Sequence, residues 1–531
     1  MPILVKMQTL INIELIRKLA GLKIKNTNRL NKVKRAFANK YHIGMISNAD
    51  LLALYRELLK NSEIKQNTEL EKLLQKRKIR TLSGVAPVAV LTKPYPCPGR
   101  CAYCPSEKDM PKSYLSNEPA VMRAIATKFD PFVQVSSRIK ALKNNGHDTD
   151  KIELIIMGGT WSSFPKKYQT WFVKKCFDAC NEKTATSLAQ AHTWNETAKH
   201  RIVALTLETR PDYIDEKEIA NWRKLGATKV ELGVQAIDDA ILKRNKRGHL
   251  TREIVRATKL FKQAGFKVAY HMMPNLPGAT PGKDATMFKK LFQSPDYQPD
   301  FLKIYPTVVT KQSLLYKWWQ TGKYKPYSKK QLLKLLVEIK KIIPDYVRII
   351  RLIRDIPKES IVAGNKVTNL REDLKKELDQ QKIQCQCIRC REAREDIKNL
   401  NQAKLFIEEY KASGATEYFL QYASPNKRKL YAFLRLRLPE KNEKNFIPEI
   451  KNAAMLREVH TYGRLIPLNT KSEPGIQHEG FGTKLTKLAE KIAMEHGFQQ
   501  MAVISGVGVR GFYRKNGYRL KGTYMTKKIS Q

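Results

Sequence analysis

Nothing in this chain constrains its fold more than Cys97-Pro-Gly-Arg-Cys101-Ala-Tyr-Cys104. Three thiols fall within eight residues, directly after the apolar run 85–91 and among Pro94, Pro96 and Pro98. Three thiolates on one short loop can hold three corners of a four-iron cluster, which leaves the fourth iron without a protein ligand. A zinc site needs a fourth ligand close by, and none is near. A disulfide reading fails on the odd count within the loop. The chain's eight cysteines form clusters suited to metal rather than a covalent frame.

The length of 531 residues predicts three or four domains. Lysine and arginine number 98 against 50 acidic residues, a net charge of +48 that favours a polyanionic partner. The basic blocks 29–40 and 76–80 sharpen that expectation. No stretch approaches twenty apolar residues, so no membrane span is expected. The N-terminus lacks the unbroken apolar core of a secretory signal. A cytoplasmic, reducing setting follows.

Residues 1–80 read as basic helices able to grip RNA phosphates, with Ser47 capping a helix whose apolar face is Leu51, Leu54, Tyr55, Leu58 and Leu59. From 81 to 364, the apolar runs 85–91, 152–157, 202–207, 230–234, 268–272, 301–304 and 347–352 alternate with amphipathic segments. That pattern predicts buried parallel strands in a partial α/β barrel. Polar and glycine-rich motifs follow the strands, where such barrels keep their chemistry. Gly158 and Gly159 allow close approach of a ligand. Glu208, Arg210, Glu231 and Gln235 are candidates for gripping it, while His271 is as readily an ordinary strand-end histidine. Lys303 and Tyr305 could point into the barrel mouth.

The segment 365–395 loses the strand pattern and carries Cys385, Cys387 and Cys390, a spacing that suggests a structural zinc staple without a visible fourth ligand. Cys176 and Cys180, one helical turn apart, read as packing residues. Residues 396–531 form a further α/β unit: strands 418–422 and 431–436 in a hairpin, a third near 455–461, and a helix from Leu485 to His496. Before that helix stands Gln477-His-Glu-Gly480-Phe481-Gly482-Thr483. A QxxGxG pattern at a strand-to-helix junction is an anion cradle, as in acetyltransferases of the GNAT type, which hold the pyrophosphate of acetyl-coenzyme A there.

The cysteine loop, with Tyr103 beside its last thiol, resembles the radical-SAM superfamily. Over nearly its whole length the chain resembles the Elongator catalytic-subunit family in its single-polypeptide archaeal or bacterial form. Motifs carrying the likeness include Lys93-Pro-Tyr-Pro-Cys97, Met157-Gly-Gly-Thr160, Glu208-Thr-Arg-Pro-Asp212, Gly233-Val-Gln235, His271-Met-Met-Pro274, Arg457-Glu-Val-His460 and Ser505-Gly-Val-Gly-Val-Arg510. The resemblance implies C5 carboxymethylation of tRNA uridine 34 from acetyl-coenzyme A and S-adenosylmethionine. It implies a [4Fe-4S] cluster on Cys97, Cys101 and Cys104, and zinc on Cys385, Cys387 and Cys390. S-adenosylmethionine would lie against Gly158, Gly159, Glu208, Arg210 and Gln235. Acetyl-coenzyme A would meet Lys143, Glu458, Val459, His460, Thr461, Gln477, Gly480, Phe481, Gly482, Thr483 and Tyr513, with Tyr513 and Lys143 in catalytic roles. The expected partner is a tRNA anticodon stem-loop, with a homodimer allowed. Ser106-Glu107 and Phe512 depart from the family's usual Gly-Gly and tyrosine. The alternatives are a protein lysine acetyltransferase with a structural barrel, and a tRNA-binding scaffold that only hydrolyses acetyl-coenzyme A.

Overall fold

A computed structural model describes residues 2–75, 83–367, 369–394, 400–440, 443–462 and 480–530. The first four helices are Pro2–Gly21, Thr27–Lys40, Asn48–Lys60 and Thr68–Leu74. Ser47 Oγ accepts the Asp50 N–H at 3.1 Å, which caps the third. Its face Leu51, Leu52, Tyr55 and Leu58 meets Leu15, Leu19, Leu30 and Leu70 in a small core. Gln75 ties this bundle to the next unit by donating to the Gly146 carbonyl at 2.8 Å.

Seven strands then pair in chain order, all parallel: β1 (Ala86–Leu91), β2 (Lys151–Met157), β3 (Arg201–Thr209), β4 (Lys229–Gln235), β5 (Lys267–Met272), β6 (Phe301–Ile304) and β7 (Arg348–Arg351). Helices cover the outer face, and β1 and β7 remain unpaired edges of an open barrel. Each expected strand lies within about two residues of its place, because strands buried on both faces are continuous apolar runs. The inner face breaks that rule. Glu153, Lys229, Lys267, Glu231 and Lys303 all face inward, and register sets Lys229 beside Lys267 and Glu208 beside Glu231.

The second sheet is mixed: β8 (Lys404–Lys411), β9 (Ala415–Ala423), β10 (Leu430–Pro439), β11 (Ala454–Thr461), β12 (Gln500–Val503), β13 (Arg519–Lys521) and β14 (Tyr524–Lys528), in the spatial order 13-14-12-11-10-9-8. Only β11 and β12 run parallel, and they pair only at Ala454–Leu456 against Met501–Val503. Beyond Leu456 they splay, so residues 458–461 pair with β10 alone. The helix Phe481–Glu495 buries Leu485, Ala489 and Ala493 on this sheet. The expected hairpin and helix are present. The edge strands β8 and β13, and β14 beside the latter, are additional.

The two sheets are joined by apolar packing and by buried charge. Phe433, Met455 and Ile504 enter the barrel's core. Arg457 donates to Asp300 Oδ1 at 3.0 Å and to Glu417 Oε2 at 2.5 Å, while Lys262 pairs with Glu417 at 3.1 Å. All four side chains are fully buried. Among the described residues no helix is long and apolar enough to cross a membrane.

Candidate active site

One continuous cavity of about 1880 Å³ runs from the C-terminal ends of the barrel strands, through the barrel, to the splay between β11 and β12. Its upper wall holds Cys97, Cys101, Cys104, Gly159, Glu208, Arg210 and Gln235. Its lower wall holds Lys151, Lys229 and Lys267. Beyond them lie Glu458, Val459, His460, Thr461, Gly480, Gly482, Thr483 and Tyr513.

The cysteine loop follows β1 and is braced from below. Arg247 Nη1 donates to Cys101 Sγ at 3.3 Å, and the Gly99 N–H to Cys97 Sγ at 3.4 Å. Hydrogen bonding between Cys101 and Cys104 holds the first thiol low and the second high, and Arg247 further lowers Cys101. N–H donors and cationic neighbours favour thiolates, so the loop suits metal ligation. Arg210 Nη1 is buried without a partner and lies directly under Gly99, where any Cβ would strike it. The rest of that guanidinium is committed to Asp212 at 2.7–3.0 Å. Gly158, at φ 140°, packs against Thr92, so its hydrogen is a spatial necessity, whereas Gly159 lines the cavity.

Above the lysines is a tight charge cluster. Tyr114 Oη donates to Glu208 at 2.9 Å, and Lys303 bridges Glu208 (3.8 Å) and Glu231. His271 Nε2 lies 3.1 Å from Glu231. Burial alone would raise the Glu231 carboxyl, but Lys303 and His271 outweigh it and hold the group well below the ordinary range. This end can bind a ligand carrying both hydroxyl and charged groups.

Among the described residues two sets of three ligand-type atoms converge within 4.8 Å: Cys385, Cys387 and Cys390, and Glu208, Glu231 and His271. The loop trio is spread more widely. Lys340 Nζ lies 3.1, 3.6 and 3.1 Å from the sulfurs of Cys385, Cys387 and Cys390. It supplies a fourth polar corner that sequence spacing does not reveal, because it sits in the helix Lys329–Ile342.

Three expected coenzyme contacts fall differently. Lys143 ends the helix Pro131–Asn144, away from the cavity wall, with Lys199, Glu182 and Asp150 as its electrostatic neighbours. The Phe481 side chain is in the core, stacked on Tyr422 at 4.6 Å between centroids. Gln477 lies outside the described residues. Sequence reasoning missed Arg247, Tyr114 and Lys267. Only Lys267 left a trace, as a lysine opening an apolar strand run.

Residues 95–290 match the Radical SAM superfamily, and residues 299–380 the Radical_SAM C-terminal domain. The tRNA uridine(34) acetyltransferase of Methanocaldococcus jannaschii is 46% identical over 88% of this chain and 90% of its own. The Homo sapiens Elongator complex protein 3 is 37% identical over 94% and 93%. Among solved structures, the archaeal Methanocaldococcus infernus Elp3 with an N-terminal deletion (1-46) superimposes with a TM-score of 0.74 at 42% identity, covering 84% of this chain and 99% of that one. Such identity over nearly the full length, on the barrel and cysteine loop described above, means that the chain belongs to the radical-SAM family of tRNA uridine(34) acetyltransferases and Elongator complex protein 3.

Proposed function

We propose that the protein attaches a carboxymethyl group to C5 of uridine 34 in tRNA, with acetyl-coenzyme A as carbon donor. The supporting observation is the single cavity that runs from the cysteine loop to the splay of the second sheet. Two cofactor sites that served separate reactions would not need to share one continuous space.

Cys97, Cys101 and Cys104 would hold a [4Fe-4S] cluster, with S-adenosylmethionine against Gly159, Glu208, Arg210 and Gln235. When bound, that pair supplies a carbon-centred radical able to remove hydrogen from an unactivated methyl group. The chain's own residues do the rest. Arg247 holds Cys101 in place through its hydrogen bond to the sulfur. Tyr114 and Lys303 fix Glu208 in one orientation, a precondition for recognising a hydroxyl. The splayed strands leave the backbone of residues 457–461 without a partner on one side, open to the amide-bearing arm of coenzyme A. Gly480 and Gly482 open the helix Phe481–Glu495, whose N-terminus attracts pyrophosphate. Tyr513, buried at the cavity wall, would face the acyl end. The excess of cationic side chains suits a polyanionic RNA.

Cys385, Cys387 and Cys390 fit a tetrahedral zinc ion, for which ~3.8 Å between sulfurs follows from zinc–sulfur bonds of ~2.3 Å. The Lys340 ammonium, 3.1–3.6 Å from all three sulfurs, is not a zinc ligand and would move aside for the ion.

The test is an anaerobic assay of the full chain with tRNA, acetyl-coenzyme A, S-adenosylmethionine and reductant. The expected result is release of 5′-deoxyadenosine together with carboxymethyluridine at position 34, read by mass spectrometry of digested tRNA. Coenzyme A release without either product would favour a hydrolytic scaffold.

A further inference from the structure

Lysines inside the barrel are paired, with one clear exception. Lys229 meets Glu153 at 3.1 Å, and Lys303 bridges two carboxylates. Lys267 opens β5 beside Lys229, is 8% exposed and lines the cavity. Its ammonium makes no hydrogen bond or ion pair with another described residue. The nearest acidic influence, Glu458, is already held by Arg435 at 2.9 Å. An unpaired buried ammonium is unfavourable by several kcal/mol, and fixed charges of this kind cluster where a ligand completes them. Burial lowers Lys267 to about 8, while Glu458 partly restores it. The group therefore remains largely protonated near neutral pH.

A second unsatisfied group faces the same space. Ser505 is buried, and its Oγ has no partner. It follows β12, where that strand departs from β11, and it too lines the cavity. The next residue, Gly506, packs against the Val203 backbone of β3, which seats this turn against the lower end of the barrel. A cation and a hydroxyl without partners thus flank the point where an arm laid along the splay would emerge.

We infer that Lys267 is a catalytic residue that receives the acyl oxygen of the thioester, with Ser505 beside it. This rests on the acetyl-coenzyme A reading above and adds the group that polarises the carbonyl. The step it serves is thioester cleavage. The oxygen of water bonds to the acyl carbon, the carbon–sulfur bond breaks, and the sulfur leaves with that electron pair. One water proton ends on the sulfur and the other passes to solvent. The negative charge resides on the acyl oxygen throughout, first as an oxyanion and then as carboxylate, facing the ammonium. Placing a fixed donor where charge develops commonly alters such a step by ~10²–10³-fold.

The test compares the wild-type chain with Lys267→Met and Lys267→Arg, using acetyl-coenzyme A as probe and tRNA present. Free thiol is followed for turnover, and titration with coenzyme A measures nucleotide affinity. For Lys267→Met, kcat for thiol release should fall about 100-fold. KM and coenzyme A affinity should stay within about threefold, because the nucleotide contacts lie elsewhere. Lys267→Arg should recover at least a tenth of the wild-type rate, and neither variant should lose thermal stability. A folded Lys267→Met chain with kcat within threefold of wild type would overturn the assignment. So would affinity for coenzyme A that falls in step with kcat, or an acetyl group found on Lys267 by peptide mass spectrometry, which would make the amine an acceptor. Failure of the wild-type chain to bind acetyl-coenzyme A would instead remove the functional reading on which the assignment rests.

Discussion

The chain carries two cysteine trios of almost the same composition, built for opposite ends. Cys385, Cys387 and Cys390 draw together within 4.8 Å around Lys340, and two of them are fully or nearly buried. Cys97, Cys101 and Cys104 stay wider, line a large cavity and receive N–H donors from beneath. A compact trio packed away from the cavity suits a structural ion rather than a reacting one. A wide trio facing a cavity leaves room for a ligand beside whatever it binds. Spacing in sequence differs by only two residues between the trios. Their surroundings decide the use.

The sharpest way to break this contrast is Cys101→Ala. Iron content and 5′-deoxyadenosine release should fall at least 10³-fold, while coenzyme A release from acetyl-coenzyme A persists. Loss of that hydrolysis as well would mean that the two ends of the cavity are not chemically separable. Next is the frame between the trios. Asp300→Ala leaves Arg457 and Arg435 buried without their shared carboxylate and should lower unfolding free energy by about 3–5 kcal/mol, read by chemical denaturation. Burial raises the Asp300 carboxyl, but Arg457, Lys262 and Arg435 outweigh it and hold it far below its ordinary value. Its contribution is therefore complete above the unfolded value of ~3.9 and is lost as pH falls below that point. Asp300→Asn should remove that portion of the acid sensitivity. Cys387→Ala should release zinc, measured by mass spectrometry, and cost about 2–3 kcal/mol of stability without abolishing 5′-deoxyadenosine formation. The smallest effect is that of Lys340→Met. It should cost about 1–3 kcal/mol through three thiols left without a donor, and speed their alkylation.

The barrel was nearly transparent in the sequence, because strands such as Lys151–Met157 and Lys267–Met272 are apolar on their outer face and short of polar breaks. β8 was hidden because four of its eight residues, Lys404, Glu408, Glu409 and Lys411, are charged and it lies on an exposed edge. β13 and β14 were hidden by their basic composition. The loop cysteines were legible as local spacing. Lys340 and Lys267 were not, since what sets them apart is a neighbour far away in the chain, or the lack of one. Lys143 was carried over by likeness alone, and the fold puts it off the cavity wall.

The buried tie between Asp300 and Arg457 also bears on how heredity would map onto this molecule. Missense changes are usually sorted by the segment in which they fall. Here a change at Asp300, well inside the iron-handling half, loosens the strand that presents Glu458 and His460. Its phenotype would mimic damage to the second sheet, so a boundary drawn along the chain would misfile it.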